Sequence, residues 1–293
     1  MPNIVNYATQ FESDLVQKYQ RELLTSALTT NQVRFIDAKT IKIPYINVGG
    51  YKMHGRNGGF NRQNVSNDWM TKELGFDRDV EFFVDTMDVD ESNQALTAAN
   101  VTNTFLSEQA IPETDAYRIS KVYADYVDLG GTIDNTAITK DNVLGLWDDI
   151  QEKMTEANVP DGRIIYATPA VMKSIKEATG LSRSLNVGNG GDTAINRTIT
   201  ALDNATIIEV PSIRMKSVYD FSDGWTPGTG AKQINMIVVA PSAVIACDKH
   251  SYIRLWPEGT HTEGDGWLYQ NRKYGDLFLI DNRIDGVYIN ADA

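Results

Sequence analysis

The sequence predicts an α+β fold, and three observations carry that prediction. Strand-like runs, alternating or rich in β-branched and aromatic residues, occur early in the chain and again near its end. Helical spacing dominates the stretches between them. A glycine- and asparagine-rich stretch, Gly50 to Gly59, lies between two strand-like runs and reads as the tip of a long hairpin. With 293 residues, 42% of them hydrophobic, the chain has material for a real core and for about two domains of ordinary size.

Residues 1–38 read as an arm. Phe11, Leu15, Tyr19 and Leu23 recur every four residues, a narrow apolar stripe that needs another surface to lie on. Residues 39–90 read as an extended β-hairpin. Ile41 to Val48 runs outward, and Val80 to Val89 is expected to be the returning strand. The charge between them is lopsided. Ala38 to Asn67 holds Lys39, Lys42, Lys52, Arg56 and Arg62 with no acidic residue, whereas Asp68 to Glu91 holds nine acidic and two basic residues. A compact chain of this length has a radius of gyration of roughly 19 Å, yet hairpin arms of about 20 residues reach up to roughly 65 Å. An isolated two-stranded ribbon is marginally stable in water, so this one is expected to rest on something else.

Residues 92–111 read as a helix with Ser92 at its N-cap, ended or kinked by Pro112. A second helix is expected through Ala116 to Tyr123. Residues 139–245 read as an α/β unit. Its elements are a helix capped by Thr139 and running to Met154, a strand at Arg163 to Ala167, and a helix after Thr168-Pro169. Strands follow at Ala205 to Val210 and Ile234 to Ala240, with glycine-rich loops at 188–191 and 224–230. The last stretch returns to strands at Tyr252 to Trp256, Trp267 to Arg272, Leu277 to Ile280 and Val287 to Ile289.

Composition removes several function classes. The net charge of −12 argues against a general nucleic-acid binder, which carries a basic face. Cys247 is the single cysteine, so no disulfide forms within one chain, and its apolar approach reads as core. The start of the chain lacks the pattern of a signal peptide, and no apolar run reaches membrane-spanning length, so a reducing cytoplasm is expected.

Catalytic motifs fail one by one. Gly50 to Gly55 matches the opening of a phosphate-cradling loop, but Arg56 and Asn57 stand where Lys and a hydroxyl residue are needed. His261-Thr262-Glu263 has no following P-C-x-x-C, so it is not a zinc deaminase site. Asp85, Asp88, Asp90 and Glu91 lack the spacing of a calcium loop. No catalytic residue, cofactor-binding residue or metal ligand is assigned, and the chain is expected not to be an enzyme.

In this order of elements the sequence resembles the tailed-phage major capsid proteins of the HK97-like fold. Ile111-Pro112-Glu113-Thr114-Asp115-Ala116-Tyr117-Arg118 resembles the segment that follows their spine helix. Ile164 to Met172 resembles their strand-to-helix step, and Pro257 to Tyr269 with Tyr274 to Phe278 resembles their closing sheet. The resemblance covers most of the chain. It implies an N-terminal arm over 1–38, an E-loop over 39–90, a peripheral P domain with a spine helix over 91–138 and 246–293, and an axial A domain over 139–245.

By that resemblance the chain builds hexamers and pentamers of an icosahedral head around double-stranded DNA. Its partners would be itself, a scaffolding protein during assembly, a portal at one vertex and packaged DNA held without sequence-specific contacts, with no membrane. It would assemble in the bacterial cytoplasm and end in the virion. Because the chain begins almost at the arm, scaffolding is expected from a separate protein. The negative charge suits a wall that lets the duplex spool without gripping it. Lys52, Arg56 and Arg62 are the expected contacts to acidic residues of a neighbouring subunit, and Lys52 is the nominal position for the covalent link some relatives make. Two other readings remain open at this stage: an encapsulin-type compartment shell, which would enclose a cargo enzyme, and a small α/β enzyme built on residues 139–245.

Overall fold

The computed structural model describes residues 23–29, 39–54, 60–87, 98–178, 199–262 and 264–293. The arm helix expected around 11–23 lies almost wholly outside these, as do Ser92, Arg56 and the 188–191 loop.

The hairpin forms with a different return strand. β1 (Thr40–Val48) pairs antiparallel with β2 (Val65–Glu73), from Thr40 opposite Glu73 to Val48 opposite Val65. The stretch expected to return, Val80 to Val89, begins within β3 (Phe76–Val84), which instead joins a separate sheet. Sequence favoured β3 because Phe82, Phe83 and Val84 look like a strand, whereas β2 is mostly polar. Its face pairs with only one other strand, so hydrophobic patterning barely marks it. At the root, Ile41 and Leu74 are buried with Cys247 and Phe278, and Leu74 N–H donates to Lys39 O at 2.8 Å.

A long helical run follows: α1 (Ala98–Phe105), one π-turn (Leu106–Ala110) and α2 (Ile111–Asp128). Pro112 therefore does not separate two helices. The wide turn just before it, in which Ile111 N–H reaches Leu106 O, makes room for the proline ring, and the run continues.

Next come α3 (Val143–Glu156), β4 (Ile164–Ala167) and α4 (Pro169–Glu177). Asn142, not Thr139, occupies the cap of α3, and its Oδ1 accepts the Thr139 N–H at 2.7 Å. Then follow β5 (Ala201–Leu202), β6 (Ala205–Glu209), β7 (Tyr219–Asp220), β8 (Thr226–Pro227), β9 (Ile234–Val239), β10 (Val244–Trp256), β11 (Trp267–Leu279) and β12 (Val287–Ala291). The two closing strands expected at 267–272 and 277–280 are one strand, β11.

Two larger sheets organise the body. One is mixed, in the order β12-β9-β4-β6-β5, with β4 and β6 parallel across the α4 crossover. Both of its faces are covered. Ile164, Tyr166, Ile237 and Val239 pack toward α2, while Ile165, Ala167, Met236 and Val238 pack against α3 and α4. That two-sided burial explains the continuous apolar runs in β4 and β9. The other sheet is antiparallel, β10-β11-β3, and packs Ile253 and Tyr269 against the π-turn residue Leu106.

Candidate assembly interface

The segment Ile111 to Arg118 forms the start of α2, and four of its side chains tie down distant parts of the chain. Glu113 accepts from Arg78 Nε at 2.6 Å, and the same guanidinium donates to the Phe221 and Gly224 carbonyls. Strand β3 and the 221–224 loop are thereby fixed to the helix. Asp115, fully buried, accepts from Thr25 N–H at 3.0 Å, Thr25 Oγ1 at 2.8 Å and Arg214 Nη1 at 3.2 Å. Tyr117 donates to Asp276 Oδ1 at 2.7 Å, and Asp276 Oδ2 accepts the Gly75 N–H at 2.6 Å, at the corner between β2 and β3. Arg118, buried, donates to Thr25, to Thr29 Oγ1 at 3.2 Å and to Asp248 Oδ2 at 3.2 Å.

This node holds the 23–29 segment, the hairpin root and the closing sheet to the first turns of α2. Burial raises the pKa of Glu113, Asp115 and Asp276 against the pull of Arg78, Arg214 and the hydrogen bonds each carboxyl accepts. Arg78, Arg214, Asp248 and Asp276 escaped the sequence reading. Nothing in their local spacing signals them, since their partners lie 35 to 201 residues away.

Toward its tip the hairpin is exposed. On one face of the ribbon, Ile46, Val48, Val65 and Trp69 form an exposed apolar stripe. Tyr51, Met53 and Phe60 continue it at the tip, each at least 96% exposed. Lys52 and Arg62 are exposed beside them and make no ion pair among the described residues. The tip is shaped internally, by Asn61 Nδ2 donating to Met53 O at 2.9 Å and Gln63 Nε2 to Gly50 O at 2.8 Å. Arg56, the third expected contact, lies outside the described residues.

No protein-family model and no curated protein matches the sequence. Solved structures do. Over 86% of this chain and 82% of the other, it aligns with a subunit of the mature capsid of bacteriophage PhiM1, at TM-score 0.60 and 12% identity. For the capsid of cyanophage P-SCSP1u the TM-score is 0.59 at 15% identity, over 91% and 86% of the two chains. A chain of Mycobacterium phage Che8 aligns at TM-score 0.57 and 15% identity, over 85% and 84%.

The chain has a bacteriophage capsid fold.

Two residues weighed in the sequence, His261 and Cys247, lie in a turn and in the core. His261 lies in the 257–266 turn with Nε2 2.8 Å from Gly266 O and its ring edge-on to Phe83. Cys247 is buried, and burial pushes its thiol up to about 11. Among the described residues, no three His, Cys, Asp or Glu side chains are grouped to hold a metal ion, and no helix is long and apolar enough to cross a membrane.

Proposed function

We propose that this chain is the major capsid protein of a tailed double-stranded DNA bacteriophage, assembling as hexamers and pentamers into an icosahedral head around the genome. The observation that carries this is the uncovered hairpin on a fold shared with phage capsids. A ribbon with Ile46, Val48, Val65 and Trp69 exposed along one face leaves apolar surface that a monomer in water would bury if it had the means. A neighbouring subunit supplies that cover. In this reading residues 39–90 are the E-loop, 91–138 and 246–293 the P domain, 139–245 the A domain, and 1–38 an arm. Lys52, Arg56 and Arg62 face acidic residues of a neighbour. Scaffolding protein, portal and packaged DNA are the further partners, and the head forms in the bacterial cytoplasm.

Replacing residues 49–64 by a short turn tests this. The shortened chain is expected to fold with an unchanged melting temperature and to sediment as a monomer, while the full chain sediments as rings or shells. Equal sedimentation of the two chains would contradict the reading.

A further inference from the structure

A groove of about 840 Å³ opens between α3, the 132–136 loop and the start of β12. Asp134, Asp149 and Asp285 line it, with Lys153 the one cation in the lining, and Leu146, Ile150, Met154 and Val287 supply apolar surface. Asp134 is held within the chain by Thr136 N–H and the Tyr288 hydroxyl. Asp149 and Asp285 are exposed and make no ion pair with the described residues. The acidic surface extends beyond the groove along α3, where Asp148, Glu152 and Glu156 are also exposed.

We propose that this groove receives the hairpin tip of a second copy of the chain, an inference that rests on the shell reading above. The two surfaces are complementary in both charge and polarity. The tip offers Lys52 and Arg62 without a single acid between Ala38 and Asn67, and it offers Tyr51, Met53 and Phe60 with no cover of their own. The groove offers exposed carboxylates around an apolar floor, with room for more than one aromatic side chain. Aromatic anchors in a pocket, rimmed by opposite charges that set register, are the usual anatomy of a specific contact. Tip and groove are different patches of the same molecule, so the contact is head-to-tail. Repeated, such a contact closes into rings or continues as a lattice, as a shell requires.

The test uses the full chain carrying Lys52→Cys and Asp149→Cys. Native Cys247 is 2% exposed and does not compete. Oxidation of the self-associated protein is expected to give a ladder of covalent multimers on a non-reducing denaturing gel, absent from either single variant. Particles that form without a ladder overturn the groove assignment and leave the shell reading standing. Should the cysteine variant misfold, charge reversal decides. Asp149→Lys with Asp285→Lys is expected to raise the concentration needed for assembly several-fold, and adding Lys52→Glu with Arg62→Glu is expected to restore it. Reversal without effect, or without rescue, overturns the proposal. If the unsubstituted chain never self-associates, the shell reading fails and this inference falls with it.

Discussion

Glu113, Asp115, Tyr117 and Arg118 fall within six residues of one helix, yet they bind segments from both ends of the chain. Asp115 is the most committed of them, fully buried between Thr25 and Arg214. Asp115→Ala leaves Arg214 and the Thr25 donors without their acceptor and is expected to cost about 3–5 kcal/mol, read as a drop in the urea midpoint. Asp276 has a different signature. Burial raises its pKa, so the folded protein binds a proton more tightly there than the unfolded chain does. The stability this group contributes is therefore fully present below the unfolded value of about 4 and declines as pH rises through the raised folded value. Asp276→Asn mimics the protonated form. Its cost is expected to be larger at pH 4 than at pH 7, measured by urea denaturation at both; a cost that grows with pH would contradict the assignment. The Ile111–Arg118 segment was visible in the sequence as a resemblance. What its side chains hold was not, because each bond closes a loop that local spacing does not encode.

At the scale of elements, the hairpin shows both the reach and the limit of pattern reading. The glycine-rich tip and the outgoing strand were legible, since Ile41, Ile43 and the turn residues follow period two and turn chemistry. The returning strand was not, because Val65 to Glu73 is exposed along most of its length, so burial imposes little apolar pattern on it. The long helical run was split in the sequence reading at Pro112, which the π-turn absorbs. Strand β11 was read as two, since Gly275 and Asp276 look like a break. Gly275 lies where β10 bulges between Asp248 and His250, and a Cβ there would stand 2.5 Å from Cys247 O. Gly275→Ala is expected to cost about 1–3 kcal/mol by overpacking this bulge, seen as a lower melting temperature.

For the whole molecule, a mixed sheet with both faces covered contrasts with a ribbon that is buried at its root and exposes an apolar stripe toward its tip. In the shell reading proposed above, the hairpin is finished by a neighbour. The body was largely predictable, because β4, β9, α3 and α4 carry continuous or periodic apolar patterns. The groove lined by Asp134, Asp149 and Asp285 was not, since residues from α3, a loop and β12 meet there only after folding. Raising salt is expected to weaken assembly if the basic tip meets the acidic groove, because exposed pairs are screened within about 10 Å at 0.1 M; light scattering across a salt series reads this directly. The most direct test of the shell itself is negative-stain electron microscopy of the purified chain, expressed alone and with a candidate scaffolding protein. The account predicts rings of five or six subunits or closed shells, and a lasting monomer or dimer in both samples would contradict it.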